Sequence, residues 1–328
     1  MRVLITGAAG FIGSHLCERL LAAGHWVTGL DNFHDNYDPR IKRRAMSDLE
    51  THPRFMLIEG DMREPEALEA AFTPAPDAVV HLAALVGVRT SLSHAGEYAD
   101  VNVRATTLVL EACRQHGVKR VTLASSSSVY GNSIDTPFRE EAPLGTPLSP
   151  YAATKRAMEV MAAAYHHLYD INIAVLRFFT VYGARQRPDL AIHKFARLIL
   201  NKEAIPVFGD GSSRRDYTHI SDIVGGIEGA IRWTDSPDTQ METFNLASGR
   251  TVTLMEMIEA IEEAVGSKAI LKRLPDQPGD MSATWADVSK AQSVLGLPKA
   301  VDFATGVRDF VQWLRADLDR AASAGRHD

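Results

Sequence analysis

Cysteine is nearly missing: Cys17 and Cys113 are the only two among 328 residues. Two thiols are too few for a disulfide framework or a thiolate metal site, so a reducing compartment, the cytoplasm, is expected, with both cysteines as small apolar fillers on helices. No charge of one sign dominates: 35 Lys and Arg face 41 Asp and Glu, a formal net charge of −6 without a basic stripe. That balance argues against nucleic acid and an anionic membrane as partners. No stretch approaches about 18 uninterrupted apolar residues, so the sequence predicts no membrane span. The N-terminus has neither a basic leader nor a small-residue cleavage site, and no signal peptide is expected. Internal repeats and low-complexity tracts are absent too, leaving one large α/β unit or two domains for a chain of this length.

What is present begins at the first residue. An apolar run to Thr6 enters Gly7-Ala-Ala-Gly10-Phe-Ile-Gly13, and apolar side chains then recur at helical spacing to Ala23. This predicts strand, tight turn and helix. Gly7 lets the chain turn, Gly10 lets backbone approach a pyrophosphate, and Gly13 lets helix and strand pack closely while the helix N-terminus faces the phosphate. Asp31 follows a second predicted strand, Trp26–Leu30, at about the distance where an acid meets an adenosine ribose. Its carboxylate favours NAD, because it would repel the extra phosphate of NADP.

Strand and helix then alternate: Phe55–Glu59, a helix near Glu64–Phe72, Ala78–Leu82, a long helix within Ala95–His116, Arg120–Ser125, a helix at Tyr151–Tyr169, and Ile173–Phe178. Such alternation predicts an α/β fold with a doubly wound parallel Rossmann sheet. Ligands on these sheets bind beyond the carboxyl ends of the strands. There the sequence places Gly60-Asp61-Met62 and Leu82-Ala83-Ala84; Asp61 suits the adenine amino group, and the small Ala83 and Ala84 let a dinucleotide lie against backbone.

After Thr180 the pattern changes. A polar link to Asp189 precedes a helix near Leu190–Asn201. Ile205–Phe208, a Gly209–Ser213 turn and Arg214–His219 suggest a hairpin. Ser221-Asp222 suits the cap of a helix to Trp233, and Thr243–Leu246 reads as a strand. Thr253 with Glu256 forms a capping box for Leu254–Val265, where Met255 and Met257 are packing residues. Asp287–Leu295 and Phe303–Leu318 read as helices, and Ala321–Asp328 as a frayed tail. The expected domains are 1–178 plus about 220–246, binding the dinucleotide, and a smaller mixed α/β unit of about 179–219 plus 247–328, binding substrate.

Ser149-Pro150-Tyr151-Ala-Ala-Thr-Lys155 sets a tyrosine and a lysine one helical turn apart on one face. A free tyrosine ionises near pH 10, so a phenolate near neutrality needs roughly 4 kcal/mol of stabilisation. Lys155 offers one positive charge and an oxidised nicotinamide a second. Ser126, ending the preceding strand, can hydrogen-bond the reacting hydroxyl.

Taken together, Gly7/Gly10/Gly13, Asp31, Ser126 and Tyr151-x-x-x-Lys155 resemble the extended short-chain dehydrogenase/reductase family in its nucleotide-sugar 4-epimerase branch, and the likeness spans nearly the whole chain. The resemblance implies a tightly bound NAD, regenerated each turnover, a UDP-sugar substrate, and a homodimer paired through the helices near Ala95–His116 and Tyr151–Tyr169. It implies catalytic roles for Ser126, Tyr151 and Lys155. Cofactor contacts are implied for Gly7, Gly10, Phe11, Ile12, Gly13, Asp31, Asn32, Asp61, Met62, Leu82, Ala83, Ala84, Asn102, Tyr151, Lys155 and Phe178. Substrate contacts are implied for Arg89, Ser126, Ser127, Ser128, Thr180, Arg187, Lys194, Val207, Phe208, Arg215 and Asp280, and no metal site is expected. One departure is Gln277, where galactose epimerases of this kind usually carry Arg, which shifts phosphate neutralisation toward Arg215 with Arg89 or Lys194. Singly, Arg214-Arg215 also reads as an exposed hairpin pair, Phe208 as a core aromatic and Arg185/Arg187 as a solvated loop. Lys42-Arg43-Arg44 reads as a solvated helix face.

Related dehydratases carry Asp-Glu directly after the active-site Ser or Thr, and UDP-xylose synthases a nearby Glu. Here Ser125–Ser128 is followed by Val129, with no carboxylate, which favours simple epimerisation. Thr180, Ser127, Ser128, the run Gly183–Asp189 and the segment Leu30–Asp38 are similar to UDP-glucuronate 4-epimerases, whereas hexose epimerases usually place Asn at Thr180. The alternatives are a UDP-glucose or UDP-N-acetylglucosamine 4-epimerase, a UDP-glucuronate decarboxylase, an NAD(P)-dependent reductase, or a non-catalytic redox sensor.

Overall fold

Seven short apolar segments build one parallel sheet because each alternates its side chains between two helical layers. In β1 (Arg2–Thr6) Val3 and Ile5 face one layer and Leu4 the other; in β4 (Ala78–His81) Ala78 and Val80 oppose Val79 in the same way. The computed structural model describes residues 1–275 and 283–324. The other strands of this sheet are β2 (Trp26–Asp31), β3 (Phe55–Glu59), β5 (Arg120–Ser126), β6 (Asn172–Phe178) and β11 (Met241–Leu246). Their order is β11-β6-β5-β4-β1-β2-β3, all neighbours parallel. This is the doubly wound Rossmann architecture.

One layer comprises α1 (Phe11–Ala22), α2 (Pro39–Glu50), α9 (Ile220–Trp233) and α11 (Ser289–Leu295). The opposite layer holds α3 (Pro65–Ala71), α6 (Ala105–Gln115) and α7 (Pro150–Tyr169), with the short α4 (Val88–Ser93) and α5 (Ala95–Tyr98) nearby. A second core forms from α8 (Ala191–Leu200), α10 (Leu254–Val265) and α12 (Phe303–Ala324) around Ile205 and Val207 of β8 (Ala204–Phe208). Its small sheets use β7 (Thr180–Tyr182) with β10 (Tyr217–His219), β9 (Arg214–Arg215) with β12 (Val252–Thr253) and β14 (Ala283–Thr284), and β8 with β13 (Ile270–Leu274). No described helix is long and apolar enough to cross a membrane. Both cysteines are buried on α1 and α6.

Four expectations change. The hairpin is absent: Gly209 and Gly211 make their turn at φ +66° and +86°, but β8 pairs in parallel with β13 while β9 joins β12 and β14. Ala95–His116 is not one α-helix, since a π-helical turn over Ala99–Arg104 separates α5 from α6. α9 is capped by the His219 ring accepting from the Ser221 amide, not by Ser221-Asp222; Asp222 takes the Val301 amide at 2.9 Å instead. α12 runs past Leu318 to Ala324, so helix covers the first part of the expected tail, and 325–328 lie outside the described residues. The capping box of Thr253 and Glu256 is present, and Met257 is fully buried.

Candidate active site

The sheet order reverses at β1, with β2 on one side and β4 on the other, and both β1 and β4 end beside a cavity of about 520 Å³. Gly7 sits at φ +72°, and a Cβ there would stand 2.8 Å from the Ala83 amide nitrogen. A Cβ at Gly13 would meet the Gly7 carbonyl at 2.1 Å, so α1 can approach its strand only with glycine. Gly10 caps α1 with no side chain, which leaves the helix N-terminus open toward the cavity. Asp31 is buried on the wall; its Oδ2 accepts from the Ala9 amide at 3.0 Å and its Oδ1 from the Phe33 amide at 2.8 Å. The cradle, the uncapped helix and the acid together fit a dinucleotide.

The Leu82–Leu85 loop is held from behind. Ala83 donates its amide to Thr6 Oγ1 at 3.2 Å, and Thr6 Oγ1 meets His81 Nδ1 at 2.7 Å. His81 Nε2 meets Thr106 Oγ1 at 2.9 Å, and Thr106 donates to the Asn102 carbonyl. Since Thr106 spends its proton there, His81 donates from Nε2 and accepts at Nδ1; burial, pushing its imidazole down to about 3, keeps it neutral. Asn102 does not reach the cavity, contrary to expectation. Its amide group is consumed by the Leu85 amide at 2.8 Å, the Leu85 carbonyl at 3.0 Å and Thr154 Oγ1 at 3.0 Å, so it clamps the loop that the cofactor would touch.

α7 begins with Ser149 accepting from the Ala152 amide at 3.1 Å and Pro150 in the first turn. Tyr151 and Lys155 line the cavity with Ser125, Ser126 and Ser127. Lys155 is buried and donates to the Ala124 carbonyl at 2.9 Å. Without a cofactor the phenol is not prepared as a base: burial pushes Tyr151 above its ordinary range, while Ser126 and the Arg187 charge pull it down. Lys155 is itself pushed down by burial to about 7, against the pull of Glu159, and the charge of Arg187 adds to the pull on the phenol. A lowered lysine value in the fold means the unfolded chain binds more protons from about pH 7 to pH 10, so stability of the cofactor-free protein should rise with pH by up to about 1.4 kcal/mol per pH unit. Urea titrations across that window should show this rise, and Lys155→Met should flatten it.

Thr180, on β7, and Arg187 also line the cavity, the guanidinium held by Asp189 at 3.0 Å and 2.5 Å. Arg185 turns away to Glu18 at 2.7 Å and 2.6 Å, pinning the link to α1. Phe11, Ile12, Asn32, Asp61, Met62, Leu82, Ala84 and Phe178 also line the cavity. Asp61 arrives already engaged, with Arg63 at 2.7 Å and Asn32 at 2.9 Å, and these bonds hold its carboxyl down at about 2.

Several expected contacts are not on the wall. Ser128 lies in the 3₁₀ turn Ser127–Tyr130, where successive side chains point about 120° apart, so it turns away where Ser127 faces in. Its amide donates to Ser126 Oγ at 3.2 Å, and its buried hydroxyl has no partner among the described residues. Arg89 and Lys194 are exposed, on α4 and α8. Val207 is in the core of the smaller lobe, Phe208 is half-buried, and Arg215 donates to the Arg214 carbonyl at 2.8 Å. These five line no part of this cavity; Lys194, Val207, Phe208 and Arg215 belong to the second lobe, where the parallel β8–β13 pairing builds a separate layer. Asp280 and Gln277 lie outside the described residues.

Sequence reasoning missed Tyr37 and Lys42, which line the cavity, and a buried network behind it. Glu159 accepts from Ser125 Oγ at 2.5 Å and from Arg177 at 3.0 Å and 2.8 Å. Arg177 also donates to Tyr130 Oη at 3.1 Å, and Tyr130 to Asn245 Oδ1 at 2.7 Å. Two signals were available: Glu159 falls one turn after Lys155, and Arg177 interrupts an apolar strand. Among the described residues no group of three His, Cys, Asp or Glu could hold a metal ion.

Hydride chemistry at a hydroxyl-bearing carbon is what a dinucleotide cradle can perform when a phenol and an ammonium share its cavity, and this defines an NAD-dependent enzyme of the Rossmann class. The chain belongs to the NAD dependent epimerase/dehydratase family, whose family model matches residues 3–247. A UDP-glucuronate 4-epimerase of Thermodesulfobacterium geofontis is 38% identical over 318 residues, 96% of this chain and 97% of that protein. The crystal structure of UDP-glucuronic acid 4-epimerase from Bacillus cereus with UDP-glucuronic acid and NAD superimposes with a TM-score of 0.89 at 34% identity, covering 96% of this chain and 99% of the other. A Thermus thermophilus UDP-glucose 4-epimerase complexed with NAD gives 0.85 at 31% identity over 96% and 99%.

Proposed function

We propose that this chain is an NAD-dependent 4-epimerase converting UDP-glucuronate to UDP-galacturonate without decarboxylation. The carrying observation is that one cavity gathers Ser126, Ser127, Tyr151, Thr180 and Arg187, while the carboxylate beside them, Asp189, is spent on Arg187. NAD, when bound, supplies the hydride acceptor that later returns the hydride. Gly7, Gly10, Gly13 and Asp31 would hold it. Tyr151, as the phenolate that Arg187 and the positive charge of a bound oxidised nicotinamide would stabilise, takes the proton of the C4 hydroxyl, and Ser126 hydrogen-bonds the same oxygen. The 4-keto sugar then turns over, and Tyr151 returns the proton on reduction. Ser127 and Ser128 follow Ser126, so no carboxylate occupies the position beside it from which a C5 proton would be taken.

A 4-keto uronate is a β-keto acid and loses CO₂ when the bond to its carboxylate aligns with the carbonyl π system. Ser127 and Thr180, with Arg187 above them, hold the carboxylate out of that alignment. Each charge-assisted bond is worth about 1.5–3 kcal/mol, so Thr180→Asn should lower kcat/KM for UDP-glucuronate about 10- to 100-fold and release UDP-pentose. The function itself is tested by incubating purified protein, without added NAD, with UDP-glucuronate, UDP-glucose or UDP-N-acetylglucosamine and separating C4 epimers and pentose. Turnover of the neutral sugars alone would refute the uronate reading.

The same reading divides the chain between 1–178 with about 220–246 for NAD and about 179–219 with 247–328 for the UDP-sugar. It also takes the protein as a cytoplasmic homodimer. Val160 and Leu168, exposed on α7 at 66% and 63%, support association through that helix.

A further inference from the structure

Lys42 lies in the first turns of α2 within a basic run, where a solvated side chain is the ordinary outcome, yet it is 7% exposed and lines the dinucleotide cavity. Its basic neighbours are accounted for elsewhere. Arg40 pairs with Asp38 at 2.8 Å, and Arg43 pairs with Glu59 and stacks 3.8 Å from the centre of the Phe33 ring. Lys42 Nζ stands 3.7 Å from Asp31 Oδ1 and 5.3 Å from the centre of the Tyr37 ring. The first contact, at 3.7 Å, is longer than an ordinary hydrogen bond, so Asp31 engages this ammonium only weakly.

Withdrawing an ammonium from water costs several kcal/mol unless its donors are satisfied. Burial accordingly pushes Lys42 down, and Asp31 only partly offsets this. A buried cation with three donors, facing a cavity and held by one carboxylate at 3.7 Å, is a place for an oxygen-bearing ligand. Asp31 is its complement: each carboxylate oxygen takes one backbone amide and keeps acceptor capacity. A vicinal diol both donates and accepts, so acid and ammonium side by side match it group for group.

We infer that Lys42 is a cofactor-binding residue that donates to the adenosine ribose diol beside Asp31, and that the pair, not Asp31 alone, sets the choice of NAD over NADP. This rests on the NAD reading above. It carries a corollary: with Asp31 neutralised, the same ammonium becomes a site for a 2′-phosphate.

Titration calorimetry on cofactor-stripped protein tests both statements without relying on turnover. Lys42→Met should weaken NAD about 10- to 100-fold, the loss of a hydrogen bond to a charged group. Asp31→Asn should strengthen NADP binding at least about 10-fold, and Asp31→Asn with Lys42→Met should lose that gain. Lys42→Arg, which keeps a donor cation, should hold NAD within about fivefold of wild type. The inference is overturned if Lys42→Met binds NAD like wild type, if Lys42→Arg loses as much as Lys42→Met, or if NADP gains equally with and without Lys42. Wild type that bound no NAD would overturn the cofactor reading as well, whereas the other outcomes leave that reading standing.

Discussion

Tyr151→Phe should lower kcat by about 10²- to 10⁴-fold, the range that a positioned general acid or base contributes. The substitution removes one oxygen. α7 keeps its Ser149 cap and Pro150, and the aromatic ring keeps its edge-to-face contact with Tyr98 at 6.3 Å. Resident NAD and the unfolding midpoint should therefore match wild type, and substrate added to the variant should leave no NADH absorbance. A redox-sensing protein would show no turnover in either form. Retained turnover in Tyr151→Phe would mean that another group moves the C4 proton, and the phenol would be reduced to a wall residue.

Glu159→Gln should cost about 3–5 kcal/mol of folding stability, because it strands the Arg177 charge in the interior. The pair is close to fully buried, at 6% and 11% side-chain exposure, and both guanidinium contacts to Glu159 are charge-assisted. For a chain of this size that loss is of the order of 10 °C in unfolding midpoint. Pairing Glu159→Gln with Arg177→Met should recover most of it, since removing both charges avoids the unpaired cation. Denaturant unfolding of the two single variants and the double variant measures the coupling; additive losses would show that Glu159 and Arg177 stabilise the fold independently.

The parts of the site legible in the sequence are those that a local pattern dictates. Gly7 is required by a positive φ and Gly13 by backbone contacts within one turn, and Tyr151 with Lys155 by the pitch of one helix. Asp31, Ser126 and Thr180 are fixed by the ends of strands that apolar periodicity reveals. What could not be read depends on phase or on distant partners. Ser127 and Ser128 look equivalent until a 3₁₀ turn separates their directions. Asn102 looks available until the π-helical turn aims it behind the Leu85 loop. Lys42 looks solvated until the segment after Asp31 folds it inward. The hairpin failed for the same reason: the Gly209–Ser213 turn is real, but β8 takes its partner from residues 270–274, far along the chain. Arg215 and Phe208 were placed by resemblance to related enzymes, and no local pattern says which cavity they face.

The position of β11 has a consequence for synthesis on the ribosome. β6 is flanked by β5 on one side and needs β11 on the other, but the chain makes an excursion through the smaller lobe between Phe178 and Leu246. At roughly 5–20 residues per second, the apolar edge of β6 waits on the order of seconds for its neighbour. During that interval an open strand invites pairing with another nascent chain. Slow elongation or truncation before Leu246 should therefore increase aggregation, whereas truncation inside α12 leaves the seven-stranded sheet complete.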